Sequence, residues 1–144
     1  MATTNATITI NSDIGQGANI SKTMTMHKLQ SAVGIENTTG LASKTFKTTS
    51  ATKLFDAANG DTGATAAKAS KIYIRNTGSS KTNFFYVAYA NGVAGATSTE
   101  VIGKLYGGDW MLIPWAATEA TTHDVHVAAS TEDTMTLEYM AFVE

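Results

Sequence analysis

The sequence has 144 residues, no Cys, a formal net charge of −2 and only 15% charged residues. This length suits one domain with its own hydrophobic core. The composition excludes a fold that depends on disulfides, and the lack of a basic stripe argues against direct binding to a nucleic-acid backbone. A surface poor in charge, and rich in Thr, Ser and Asn, is easier to bury against another protein.

Targeting and membrane signals are not expected in this sequence. Residues 1–13 (MATTNATITINSD) have neither the basic nor the apolar region of a signal peptide. No uninterrupted apolar run approaches the length of a membrane span. The sequence therefore predicts neither secretion nor a membrane partner.

The first half of the chain predicts short strands separated by polar segments. Residues 6–10 (ATITI) alternate apolar and polar side chains, and residues 20–29 (ISKTMTMHKL) do the same, as a half-buried strand does. Residues 30–44 are compatible with a loop or with a weak strand. Residues 45–55 predict one long or two short strands, and residues 56–70 predict a surface loop rich in Gly and Ala.

The second half predicts stronger strands. Short segments rich in β-branched or aromatic residues alternate with turn residues, and they cover residues 71–76, 84–90, 100–106, 110–115, 123–130 and 134–144. The segment 84–90 (FFYVAYA) is apolar on both faces, which predicts a central or interfacial strand. Gly107-Gly108-Asp109 predicts a three-residue hairpin loop.

Many short strands without helical periodicity are typical of an all-β fold. We predict an antiparallel β-sandwich, jelly-roll-like, with eight or nine strands and little helix. A single domain is expected to span residues 1–144. Residues 1–13 could form an extended N-terminal arm that adds its strand to a neighbour, or an ordinary edge strand of the same sheet.

Polar residues that could bind a metal ion occur in two places. His123, Asp124 and His126 form the only His cluster, but strand alternation places His123 opposite the other two, and a metal site needs three or four convergent ligands. Residues 56–61 (DAANGD) bring Asp and Asn close to glycines but lack the spacing of an EF-hand loop. We predict no metal and no cofactor.

Signatures of catalysis are also missing from the sequence. There is no Gly-x-Ser-x-Gly elbow, and the Gly-x-Gly at residues 15–17 is not followed by a helical pattern. A glycosidase would need two carboxylates that face each other in three dimensions, and the candidates lie near predicted turns: Glu119, Asp124, Glu132 and Asp133. The chain is therefore predicted not to be an enzyme.

Residues 104–117 (KLYGGDWMLIPWAA) contain both tryptophans and the only proline. In a strand, Trp110, Leu112 and Pro114 would share one face and Met111, Ile113 and Trp115 the other. Both faces are apolar, so one can fill the core while the other needs a cover, which could be a loop of this chain, a neighbouring subunit or a sugar. We predict an interface with these members: Tyr106, Asp109, Trp110, Met111, Ile113 and Trp115, with Ile8 and Ile10 of the first strand.

The second half also resembles small virion proteins of tailed bacteriophages. Residues 71–78 (KIYIRNTG) are similar to a strand of the form ILVRNTG in that group. Residues 102–114 (IGKLYGGDWMLIP) are similar to its pattern I-x-x-L-x-x-G-[ED]-φ-φ-φ-x-P, where φ is apolar. The likeness covers about residues 71–144, and the family it indicates is the capsid decoration (cement) proteins and related minor virion proteins.

This resemblance implies a function and a location. Decoration proteins lie on the outer capsid, bridge neighbouring major capsid subunits and stabilise the shell against the pressure of packaged DNA. The chain would then be a homo-oligomer, a trimer or dimer, assembled in the host cytoplasm and located on the virion surface. The alternative is a tail-fibre or adhesin-like module that binds host glycans, with Trp110 or Trp115 as the stacking platform and Asp109 or His123 beside it.

Overall fold

The computed structural model of this protein describes residues 5–10, 20–25, 37–57, 69–89, 101–115 and 123–143. The chain divides into two compact units, one over residues 1–36 with Glu144 and one over Asn37–Val143. Every regular element among the described residues is a strand, and no helix suited to crossing a membrane occurs among them. The two units are described separately, and one domain over 1–144 with an arm over 1–13 stays a prediction.

The first unit contains a pair of antiparallel strands. β1 (Asn5–Ile10) pairs with β2 (Ile20–Thr25) along its whole length. Ile8 lies opposite Lys22, and Ile10 lies opposite the first residue of β2. β1 therefore has a partner within this chain, and both strands fall where alternation predicted them.

The second unit contains nine strands among the described residues. They are β3 (Asn37–Thr38), β4 (Ala42–Phe46), β5 (Thr52–Phe55), β6 (Ala69–Asn76), β7 (Phe84–Tyr89), β8 (Val101–Tyr106), β9 (Trp110–Pro114), β10 (Val125–Ala129) and β11 (Met135–Val143). The predicted segment 45–55 is thus two short strands. The predicted all-β class is confirmed. With β1 and β2 included, the described residues contain eleven strands, more than the eight or nine that the sequence predicted for the whole chain.

These strands form two antiparallel sheets. One has the order β5-β10-β7-β8, and the other has β4 and β3 along one side of β11, followed by β6 and β9. The pairs are nested along the chain, since β7 pairs with β8, β6 with β9, β5 with β10 and β4 with β11. A ribbon of four nested antiparallel pairs that rolls into two sheets is the topology of a jelly roll.

The core lies between the two sheets and is built by strand alternation. Inward residues of both sheets are almost completely buried, and they include Ile72, Ile74, Phe85, Val87, Val125, Val127 and Leu137. Phe55 joins the layers, because its ring lies 5.5 Å from Trp115 and 5.6 Å from Tyr139, measured between ring centroids. Burying each large apolar side chain stabilises the fold by about 1.5–3 kcal/mol, so this layer holds the two sheets together.

The predicted hairpin over residues 100–115 is wrong. β8 pairs with β7 in one sheet, whereas β9 pairs with β6 in the other. Gly107-Gly108-Asp109 is therefore a corner at which the chain passes from sheet to sheet. The residue types of a tight turn are the same in both cases, and only the partners of the flanking strands distinguish them.

Candidate functional site

The corner between β8 and β9 is fixed by the end of β6. The side chain of Asn76 is buried, and its Nδ2 donates to the main-chain oxygen of Leu105 at 3.0 Å, while its Oδ1 accepts from the backbone nitrogen of Gly78 at 3.0 Å. The backbone of Asn76 also donates to the oxygen of Asp109 at 2.9 Å and accepts from the nitrogen of Gly108 at 3.0 Å. One residue thus binds both sides of the corner.

Two glycines allow the corner to form. The nitrogen of Gly107 donates to the oxygen of Ser80 at 3.0 Å, and a Cβ on Gly107 would lie 2.5 Å from the nitrogen of Ser80. Gly108 has a φ of 89°, a conformation that other residues adopt at a cost. The carboxylate of Asp109 accepts from the backbone nitrogen of Tyr106 at 2.9 Å. The two segments that carry the phage resemblance, 71–78 and 102–114, therefore contact each other directly.

The inner face of β9 belongs to the core. Met111 and Ile113 are half-buried and pack against the core cluster. Trp115 is 2% exposed, and its indole Nε1 donates to the main-chain oxygen of His123 at 2.7 Å. The prediction that Trp115 faces a partner is corrected here, because its ring and its only polar atom are both used inside the sandwich. Met111 and Ile113 share that inward face.

The outer face of β9 carries the most exposed tryptophan side chain. Trp110 is 47% exposed, and Leu112 and Pro114 share its face because Met111 and Ile113 point inward. On the neighbouring strand β6, the ring of Tyr73 lies 6.5 Å from that of Trp110. Met140 of β11 lies opposite Tyr73. We call these five residues the Trp110 patch: Tyr73, Trp110, Leu112, Pro114 and Met140.

Charged groups border the Trp110 patch. Arg75 lies opposite Trp110 in the sheet, and its guanidinium lies 3.7 Å from the carboxylate of Glu138. Lys71 lies opposite Pro114. Apolar and aromatic residues at the centre with charged residues at the margin are typical of a protein–protein contact surface.

Tyr106 lies on the other sheet and is not part of the Trp110 patch. It is 37% exposed, and its ring lies 5.1 Å from that of Phe84, which lies 4.9 Å from Tyr86. The ammonium of Lys104 lies over both rings of β7, 4.6 Å from the centroid of Phe84 and 5.3 Å from that of Tyr86. The sequence analysis missed this aromatic cluster, because Phe84 and Tyr86 meet Tyr106 only through the pairing of β7 with β8.

Ile8 and Ile10, the remaining predicted interface residues, lie in β1 of the first unit. Their backbones pair with β2, and their side chains lie outside the described part of the structure. The predicted contact through Ile8 and Ile10 stays a prediction.

The candidate metal ligands have structural contacts. The buried carboxylate of Asp124 accepts from the backbone nitrogen of Ala57 at 2.8 Å and lies 2.6 Å from Nζ of Lys53. His126 is buried within β10, and His123 is half-buried. Among the described residues, no group of three His, Cys, Asp or Glu side chains is close enough to hold a metal ion. Residues 58–61 of the other candidate lie outside the described residues.

Lys53 anchors the end of β5 to the start of β10. Its Nζ lies 3.1 Å from Asp56 and 2.6 Å from Asp124. The hydrogen bond to Asp124, followed by the one to Asp56, raises the pKa of Lys53 above its ordinary value. The carboxylate of Asp124 therefore serves to tether two strands.

No protein-family model matches this chain, and no curated protein matches it either.

Proposed function

We propose that this protein is a virion structural protein of a tailed bacteriophage, a decoration protein that binds the outer capsid and bridges neighbouring major capsid subunits. The observation that carries the proposal is the Trp110 patch on the outer face of a sheet, in which Trp110 and Pro114 are exposed and the other three side chains are half-buried. Such a patch on a sandwich with a filled core needs a cover from outside the sheet.

The energetics of the patch suit a protein partner. A large aromatic side chain buries about 150–250 Å² when it is fully covered, and a few such residues commonly account for most of the binding energy of an interface. Tyr73 and Trp110 lie on paired strands, so little conformational freedom is lost when a partner covers them. Thr and Ser side chains dominate the rest of the outer face near β4, where Thr45 and Thr136 share a hydrogen bond of 3.1 Å.

The mechanism follows from repetition around a shell. One patch that binds a major capsid subunit is a modest contact, but copies bound around a symmetric lattice reinforce one another through avidity. We propose a homo-oligomer, a trimer or dimer, because an oligomer with the symmetry of a lattice axis contacts several subunits at once. The shell then resists the outward pressure of DNA, and the protein is located on the capsid surface after assembly in the host cytoplasm.

The glycan-binding alternative loses part of its predicted platform. Trp115 is buried and cannot stack on a sugar, and the carboxylate of Asp109 already accepts from the nitrogen of Tyr106. Trp110 keeps its exposure, but Leu112 and Pro114 on its face are apolar, and the charged groups beside it, Arg75 and Glu138, pair with each other across 3.7 Å. The Trp110 patch therefore favours a protein partner over a sugar.

The test is binding to capsids of the phage that encodes the chain. The protein is mixed with assembled capsids or with free capsid subunits and sedimented. We expect it to bind assembled capsids and not free subunits, and to raise the temperature at which filled shells rupture. Equal rupture temperatures with and without the protein would contradict the proposal that it stabilises the shell.

A pair of variants tests the surface itself. Trp110→Ser is expected to weaken capsid binding by about tenfold or more, the effect of losing one central aromatic contact. Ile102→Ser is the matched control, because Ile102 is an exposed apolar residue of β8 on the other sheet. If both variants bind as the unchanged protein does, the Trp110 patch is not the contact surface.

A further inference from the structure

A polar groove lies between the connection from β6 to β7 and the start of β11. Its volume is about 390 Å³, at the low end of the range of about 300–1,000 Å³ for small-molecule sites. The residues around it are all uncharged: Asn76, Thr77, Gly78, Ser79, Ser80, Asn83, Thr134, Met135 and Thr136. A ligand of this groove meets hydroxyl and amide groups, with no formal charge among the lining side chains.

The walls of the groove are held by hydrogen bonds. Thr77 donates to the main-chain oxygen of Thr136 through both its nitrogen, at 3.0 Å, and its hydroxyl, at 3.1 Å. Ser80 is fixed on two sides, since its hydroxyl accepts from the nitrogen of Asn83 at 2.9 Å and its main-chain oxygen accepts from Gly107. A groove whose walls are fixed before binding loses little conformational entropy when a ligand enters.

Two hydroxyl groups of the lining remain available to a ligand. Ser79 and Thr134 are exposed, and their side chains make no hydrogen bond with other described residues. A hydroxyl both donates and accepts hydrogen bonds, so each of these two can donate to a ligand hydroxyl or accept from it. Met135 belongs to the core cluster and is 8% exposed, so only the edge of its side chain reaches the groove.

We propose that this groove is a binding site for a neutral saccharide. A sugar ring carries hydroxyls that donate and accept, which matches the available hydroxyls of Ser79 and Thr134 in an uncharged lining. Acidic sugars and phosphates find no cationic side chain in the lining. This inference does not rest on the capsid-binding proposal, since it uses the loop at residues 77–83 and none of the Trp110 patch.

The test is a titration of the ¹⁵N-labelled protein with single sugars, in which binding is measured from the amide chemical shifts. The probes are glucose, galactose, mannose, N-acetylglucosamine and, as an acidic sugar, glucuronic acid. We expect at least one neutral sugar to shift the amides of Gly78, Ser79 and Thr134 with a dissociation constant of about 1 mM, an ordinary weak affinity. Glucuronic acid is expected to bind at least tenfold more weakly than that sugar.

A double variant and a matched control decide whether the groove is responsible. Ser79→Ala with Thr134→Ala removes the two available hydroxyls and should weaken binding at least tenfold. Ser43→Ala with Thr49→Ala removes two exposed hydroxyls outside the groove and should leave binding unchanged. The proposal is overturned if no neutral sugar shifts these amides, if glucuronic acid binds as tightly as the neutral sugars, or if the groove variant binds like the control.

Discussion

The side-chain amide of Asn76 donates a hydrogen bond to the main-chain oxygen of Leu105 across 3.0 Å. Asn76 ends β6 in one sheet, and Leu105 lies in β8 of the other. This bond therefore joins the two layers of the sandwich in a buried setting, where a missing partner is costly. Asn76 is the last residue of β6, so the layers are joined where β6 leaves the sheet.

Replacing Asn76 should destabilise the second unit strongly. Asn76→Ala leaves the oxygen of Leu105 and the nitrogen of Gly78 without their side-chain partner, so we expect a loss of about 2–4 kcal/mol in the free energy of unfolding. Asn83→Ala is the control, because its amide makes an exposed contact of 3.4 Å with Asp133, and it should cost about 0.5 kcal/mol or less. Urea denaturation measures both, and equal losses would show that the buried bond is unimportant.

Gly107 should tolerate no side chain, in contrast to Gly103. In Gly107→Ala the new Cβ would meet the backbone of Ser79 and Ser80 at 2.5–2.7 Å, so the corner must open and we expect a loss of about 3 kcal/mol. In Gly103→Ala nothing lies within 4 Å of the new Cβ, and the change should lie within about 1 kcal/mol and favour the variant. Thermal denaturation of the two variants is the measurement. A Gly107→Ala protein as stable as the parent would contradict the close approach.

The two tryptophans should differ in their contribution to stability and in their access to solvent. Trp115→Ala empties a buried site and removes the bond to His123, so we expect a loss of about 3–5 kcal/mol. Trp110→Ala removes a half-exposed side chain and should cost about 1 kcal/mol or less. In the folded protein, acrylamide should quench the fluorescence of Trp110 far more than that of Trp115. Single-tryptophan variants, with the other replaced by Phe, separate the two signals, and equal quenching would place both rings in the same environment.

The free energy of unfolding should decrease at alkaline pH. The pKa of Lys53 is raised by its hydrogen bonds to Asp124 and Asp56, and burial raises the pKa of Tyr89. In both cases the folded state holds its proton to higher pH than the unfolded state. The stabilisation from each group is therefore complete below the ordinary pKa, near pH 10, and is lost as pH rises through the raised value.

Variants of these two residues test the sign of that dependence. We expect the free energy of unfolding to decrease as pH rises above about 10, and to decrease less steeply in Lys53→Met and in Tyr89→Phe. Urea titrations at a series of pH values give the slope. An unchanged slope in both variants would assign the alkaline loss to other groups.

The strands were predictable because alternation and turn residues are local properties. Segment 84–90, apolar on both faces, is β7, a central strand between β10 and β8. Alternation also separated the inner residues of β9 from its outer residues. What local patterns could not show was which sheet each strand joins, since β8 and β9 meet at a turn-like corner but pair with β7 and β6.

The candidate site was only partly predictable for the same reason. Trp110 and Tyr106 are four residues apart in sequence, yet they lie on different sheets. Tyr73 and Met140 join Trp110 through sheet pairing across long sequence separations. The polar groove likewise brings residues 77–83 beside residues 134–136, and nothing in either segment alone indicates the other.

The nested strand order has a consequence for how the protein folds during synthesis. β11 lies between β4 and β6 in the middle of its sheet, although it is the last strand of the sandwich to be made. Among the described strands, β4 pairs with β11 alone, so before β11 leaves the ribosome β4 lacks that partner and β6 has an open edge. Completion of the sandwich must therefore follow translation of residue 143, and the pairing of β4 with β11 has to close a chain segment of about 90 residues, which slows folding.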